Sequence, residues 1–90
     1  PMSTAAIDTL GTQLAEAALR LVAELCPEAR SAPEERLEAA CAAMRAEVPA
    51  AVDELLADAE AAPWMAEIAF RSAVLTLAHA GIQGLVEGRA

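Results

Sequence analysis

Alanine constrains this chain more than any other feature. It supplies much of a hydrophobic fraction of 57%, while aromatic residues contribute 2%, a single Trp64 and a single Phe70. Alanine has the highest helix propensity of any residue but buries little area, so alanine-rich helices must come close together to make a core. Leucine, glutamate and arginine fill most of the remaining places, and runs that favour strand are almost missing. The expected fold class is all-α, a three- or four-helix bundle. Ninety residues make a single helical domain, 1–90, with one core. A core this small is marginal and is commonly reinforced by oligomerisation, metal or disulfides.

Prolines divide the chain. From about Thr4 to Cys26, Ile7, Leu10, Leu14, Ala17, Leu21 and Leu25 recur at spacings of three and four, with Asp8, Thr12, Glu16 and Arg20 opposite. This predicts an amphipathic helix that Pro27 ends, with Glu16 and Arg20 placed as an i,i+4 pair. Ser31-Ala-Pro-Glu34 has the form of a capping box, Ser31 as N-cap and Glu34 reaching back. The apolar face that follows is Leu37, Ala40, Cys41, Met44 and Val48. At Pro49 a second helix either breaks or kinks, or runs on to about Ala61. Leu37 through Ala59 keep one apolar face and Val48 is a poor N-cap, but an interior proline costs about 3 kcal/mol. A break or sharp kink near Pro49, with roughly collinear pieces, is therefore expected.

Pro63 opens the last helix, to about Glu87. Trp64, Ile68, Leu75, Ile82 and Val86 form one stripe, yet Phe70, Val74, Leu77, Leu85 and several alanines cover most of the remaining circumference. Only Ser72, Thr76, His79 and Gln83 make a polar strip. A helix apolar nearly all round is buried on several sides, and two partner helices cannot easily surround a third. Self-association, most simply as a two-fold dimer, is the expected remedy. Gly81 and Gly84, costly in a helix, point either to close backbone approach or to a fraying end. The interface residues expected are Trp64, Phe70, Val74, Leu77, Gly81 and Gly84. Trp64 has a second reading, as a staple closing one end of the bundle.

The net charge is −8, from 14 acidic against 6 basic residues, and there is no lysine. Arginines stand singly among acids, which disfavours nucleic acid and anionic membranes as partners. The longest uncharged run, Ser72 to Val86, is too short for a bilayer span. No basic stretch followed by an apolar run marks a secretory signal, so a cytoplasmic protein is expected. Pro1 ahead of Met2 reads as foreign to the natural chain, and the residue usage suits a GC-rich, bacterial genome. Cys26 and Cys41 are too few for a disulfide framework and are expected as buried free thiols.

Candidate chemistry is sparse. Cys41 and Met44 share a helical face at the i,i+3 spacing of soft ligands for Cu(I), and His79 could complete the set, although the pair falls in register with Leu37 and Val48 and core packing is the favoured explanation. His79-Ala-Gly-Ile-Gln-Gly84 lacks the lysine and glycine that histidine phosphotransfer domains place three and four residues after their histidine. Ile82 and Gln83 stand there instead. Thr76, three before His79, breaks the Glu-x-x-His pattern of di-iron bundles. The acids Glu34, Glu35, Glu38, Asp53, Glu54, Asp58 and Glu60 fall mainly outside the apolar stripes. No catalytic residues and no cofactor are assigned. The function expected is a non-enzymatic protein-protein interaction or scaffold module whose partners are itself and possibly another protein; the alternative is a small apolar ligand or soft metal inside the bundle.

Overall fold

The computed structural model describes residues 3–88; Pro1 and the start at Met2 lie outside them. Three α-helices follow one another: α1 (Thr4–Leu25), α2 (Glu34–Ala61) and α3 (Ala66–Glu87), joined by 3-10 turns at Pro27–Ser31 and Pro63–Met65. There is no strand among the described residues.

Proline sets the joints by restricting the residue before it. Cys26 and Ala62, which precede Pro27 and Pro63, adopt nearly the same non-helical conformation, with φ, ψ of −130°, 81° and −145°, 82°. Ala32, before Pro33, is likewise extended. Ser3 starts α1 as N-cap, its Oγ accepting a hydrogen bond from the Ala6 N–H at 3.2 Å. The capping box expected at Ser31 does not form. Ser31 ends the 3-10 turn and its hydroxyl donates to the Glu28 carbonyl at 3.4 Å, while Pro33 takes the N-cap place of α2 without a side-chain bond. Glu34 and Glu35 in the first turn then face the positive end of the α2 dipole.

Of the break or kink expected at Pro49, the break is absent, and with it the fourth helix: the helical hydrogen-bonding pattern of α2 continues from Glu34 to Ala61 with Pro49 inside it. Val48 is the one residue before a proline that stays helical. The energetic reason lies downstream, where Val52 and Leu55 are buried. Turning them off the face they share with Ala40 and Met44 would forfeit about 1.5 to 3 kcal/mol for each, together at least the roughly 3 kcal/mol an interior proline costs. Pro49 itself and Arg45, whose carbonyl loses its N–H partner, are both exposed, so water can serve that oxygen. Pro49→Ala restores the missing bond and is expected to raise the stability of the fold by about 2 kcal/mol, after allowing for the looser unfolded chain. Urea unfolding followed by circular dichroism measures it; an unchanged midpoint would contradict this account of α2.

α3 is the centre of the arrangement. It packs along α2, less extensively along α1, and α1 and α2 share the smallest contact, around Gly11, Val48 and Val52. The helices run up, down, up within a flat envelope of 41 × 23 × 16 Å. The core is Leu14, Ala18 and Val22 from α1, Ala40, Met44, Ala51, Val52 and Leu55 from α2, and Ala69, Ala73, Val74, Leu77, Ala78 and Leu85 from α3. Small residues dominate it. The tightest point is Gly84, where a Cβ would lie 2.7 Å from the Ala39 carbonyl oxygen and 2.8 Å from the Ala40 Cα. Close backbone approach, rather than fraying, accounts for this glycine.

Among the described residues the ion pair formed is Arg71–Glu67 at 3.0 Å, on the surface of α3. The expected Glu16–Arg20 pair is not made; both side chains are exposed, where such a pair is worth only about 0.2 to 0.5 kcal/mol.

Candidate functional site

The large side chains do not all point inward. Trp64 is 78% exposed, Ile68 55%, Leu75 57% and Val86 57%. Ile68, Leu75 and Val86 lie on one stripe of α3, with Ile82, half-buried against the core, between Leu75 and Val86, and Trp64 precedes them in the turn Pro63–Met65. Their exposure follows from the other side of the helix: Ala69, Ala73, Leu77, Ala78, Gly81 and Gly84 form the flatter face, and that face lets α3 lie close to its neighbours. An outward row of bulky aliphatic side chains is the unusual observation here, since isolated exposed leucines are ordinary.

The six expected interface residues therefore separate. Leu77 is fully buried, Val74, Gly81 and Gly84 are buried, and all four pack within the chain. Gly81 faces Met44 and Val22. Phe70 is half-buried and walls a shallow apolar depression of about 340 Å³ between α1 and α3, with Ala17, Leu21, Val74 and Leu75. Trp64, in the turn leading into α3, is open to solvent, so it closes no end of the bundle as a staple. Ile68, Leu75 and Val86 complete the outward row; their membership in the stripe was visible in the sequence, their direction was not.

A second apolar feature runs between α1 and α2. Since those helices share the smallest contact, a trough opens over Ile7, Gly11, Ala15 and Leu19 on one side and Val48 and Val52 on the other, with a volume of about 710 Å³. A smaller pocket of about 200 Å³ continues it from Leu19 to Ala23, Leu37, Cys41 and Met44. Cys41 and Met44 thus meet at one place, but His79 lies exposed on α3. Among the described residues no group of three or more histidine, cysteine, aspartate or glutamate side chains is placed to hold a metal ion. The carboxylates Glu34, Glu35, Glu38, Asp53, Glu54, Asp58 and Glu60 are all exposed, as a solvated face would have them.

Cys26 and Cys41 are half-buried rather than buried, and both are free thiols. The Cys26 thiol donates to a Glu28 carboxylate oxygen at 3.3 Å. That bond, with desolvation and the Glu28 charge adding to it, pushes the Cys26 pKa above its ordinary value. The Glu28 pKa is lowered, first by a hydrogen bond to its own backbone N–H and then by the one from Cys26. Because the thiolate is the reactive form, Cys26 should alkylate more slowly at pH 8 than a free thiol does, and Glu28→Gln should speed it severalfold. Iodoacetamide labelling read by peptide mass is the measurement, and equal rates in the two proteins would contradict the role given to Glu28.

No helix among the described residues is long and apolar enough to cross a membrane. Compared with family models, curated proteins and solved structures, the chain shows no significant match.

Proposed function

We propose that this chain is a non-enzymatic interaction module that pairs with a second copy of itself through the outer face of α3. The observation that carries the reading is the order of residues along that face. Ile68 and Ile82 each stand seven residues from Leu75, Trp64 and Val86 eleven, and Arg71 and His79 four. At about 100° per residue the four apolar positions within α3, Ile68, Leu75, Ile82 and Val86, project within about 20° of one line, and Trp64 precedes them in the turn Pro63–Met65. A two-fold axis at Leu75 would set Leu75 on its own copy, Ile68 on Ile82, Trp64 on Val86, and Arg71 opposite His79.

Such self-complementarity is what an isologous contact between antiparallel helices requires. The exposed row also suits the anatomy of interfaces, with aliphatic side chains at the centre, a tryptophan at each end and polar groups at the rim. Phe70 and the depression beside it flank this row and would extend the contact. A reducing, cytoplasmic compartment belongs to the same proposal, since both cysteines are free.

The reading is tested by Leu75→Cys in a chain whose Cys26 and Cys41 are replaced by serine. A thiol on a two-fold axis meets its own copy, so mild oxidation is expected to give a disulfide-linked dimer, whereas a cysteine placed at exposed Glu54 should give little. Equal slow cross-linking at both positions would defeat the proposed register. A second reading, an apolar ligand in the pocket lined by Cys41 and Met44, is favoured by that pocket's apolar lining alone. It requires the melting temperature to rise with added ligand.

A further inference from the structure

We infer that the trough between α1 and α2 is the seat of an amphipathic helix from a different protein, one that carries lysine or arginine at its flanks. This goes beyond self-association through α3 and rests only on the reading of the chain as an interaction module. The geometry is that of a four-helix bundle lacking one corner. α3 packs along both α1 and α2, while α1 and α2 meet least and chiefly where Gly11 sits against Val48 and Val52, so an open corner lies between them on the side away from α3. From Ile7 to Ala23 the trough and its continuation follow α1 for seventeen residues, roughly 24 Å at the rise of an α-helix, or about four turns.

The floor is apolar and partly open. Gly11 and Val52 are buried at its base, Ile7, Ala15 and Val48 are half-buried along its walls, and Leu19, 45% exposed, stands where trough and pocket join. Gly11 sits against Val48, so the floor is closed while the space above it is free. Apolar anchors at i, i+3, i+4 and i+7 are the side chains such a groove accepts.

Charge decides between occupants. Asp8 and Glu16 border the trough on α1 and Asp53 on α2, against Arg45 at the same rim and Arg30 in the continuation, so the acids gather toward the Asp8–Asp53 end. Asp8 and Asp53 flank the same end, and neither belongs to an ion pair among the described residues. A second copy of this chain would bring a net charge of −8 and no lysine to those carboxylates. A helix with basic flanks brings the complement, gaining attraction during approach and a fixed register once seated.

The test uses the full chain and two fluorescein-labelled helical peptides of eighteen residues, with the same leucine face and either lysine or glutamate at the flanks. Anisotropy is expected to show micromolar binding of the lysine peptide, at least tenfold weaker binding of the glutamate peptide, and weakening of the lysine complex by about tenfold as salt rises from 0.05 to 0.5 M. Asp8→Asn with Asp53→Asn should reduce the preference for lysine. Leu19→Lys, at a site exposed enough to keep the fold, should cut binding of the lysine peptide at least tenfold, with circular dichroism unchanged. Leu75→Arg should leave it unaltered, which separates this inference from dimerisation through α3. Equal binding of the two peptides, no binding of either, or indifference to Leu19→Lys would overturn the inference. So would a Leu75→Arg protein that stays dimeric until Leu19→Lys is added, since the trough would then hold a second copy.

Discussion

Gly84→Val is expected to destabilise the domain by about 3 kcal/mol or more, a large part of the roughly 5 kcal/mol that a small domain has to lose. The first atom of any side chain at this position would meet the Ala39 carbonyl oxygen at 2.7 Å, the Ala40 Cα at 2.8 Å and the Ala39 carbonyl carbon at 3.0 Å. All three are backbone atoms, so no rotamer change relieves the clash. The two helices must move apart instead. Separation would loosen Ala40, Met44, Ala78 and Leu85 together, because cores of small residues depend on close approach.

Alanine at the same position makes the sharper comparison. Gly84→Ala gains up to about 1 kcal/mol of helix propensity, yet overpacking costs about 1 to 3 kcal/mol, so a net loss is expected. Gly88→Ala is the control: its Cβ would find Arg36 and Ala39 atoms no nearer than 3.2 Å at a helix end, and stability should stay within about 1 kcal/mol. Chemical unfolding of the three variants checks the order. If Gly84→Val matched the parent, the close packing of α2 and α3 described here would be wrong.

Leu75→Arg has the second large effect, on association rather than on folding. In the proposed pair the residue meets its own copy, so each substitution removes apolar burial worth about 1.5 to 3 kcal/mol and the pair loses it twice. The new guanidinium would also stand one helical turn from Arg71, across from its counterpart, adding like-charge repulsion. Together these predict dimer association weakened by at least about 100-fold. The monomer should keep its helicity and unfolding midpoint apart from the linked contribution of pairing, because Leu75 is exposed within one chain.

The sequence made the helices legible and their facing much less so. Alanine and leucine announced an all-α chain, and Pro27 and Pro63 marked both joints within a residue or two. The face of α1 is legible only in part. Ile7, Leu10, Leu14, Ala17 and Leu21 do lie in or against the core, but the most buried line is Gly11, Leu14, Ala18 and Val22, and Leu25 is exposed. Hydrophobic periodicity weights side chains by size, whereas this core is built by backbones that approach over glycine and alanine. The same cause turned the α3 stripe outward. Leu77, Gly81 and Gly84 read as contacts for a partner because a nearly uniform apolar circumference carries no sign of which arc the chain itself uses.

Pro49 was hard for a different reason. Local preference and tertiary burial oppose each other there by similar amounts, and only the packing of Val52 and Leu55 tells which prevails. At Ser31 the local motif was present, but Pro33 shifted the start of α2 and left the serine in the preceding turn. Cys41 and Met44 stayed ambiguous because a buried sulfur pair and a soft-metal pair share one spacing, and His79 faces elsewhere.

Sedimentation equilibrium of the reduced chain and of Leu75→Arg, both from low to high micromolar concentration, tests self-association through α3 most directly. The account predicts twice the monomer mass of 9.3 kDa for the parent and the monomer mass for the variant. A parent that remains monomeric, or a variant that dimerises as tightly as the parent, would contradict it.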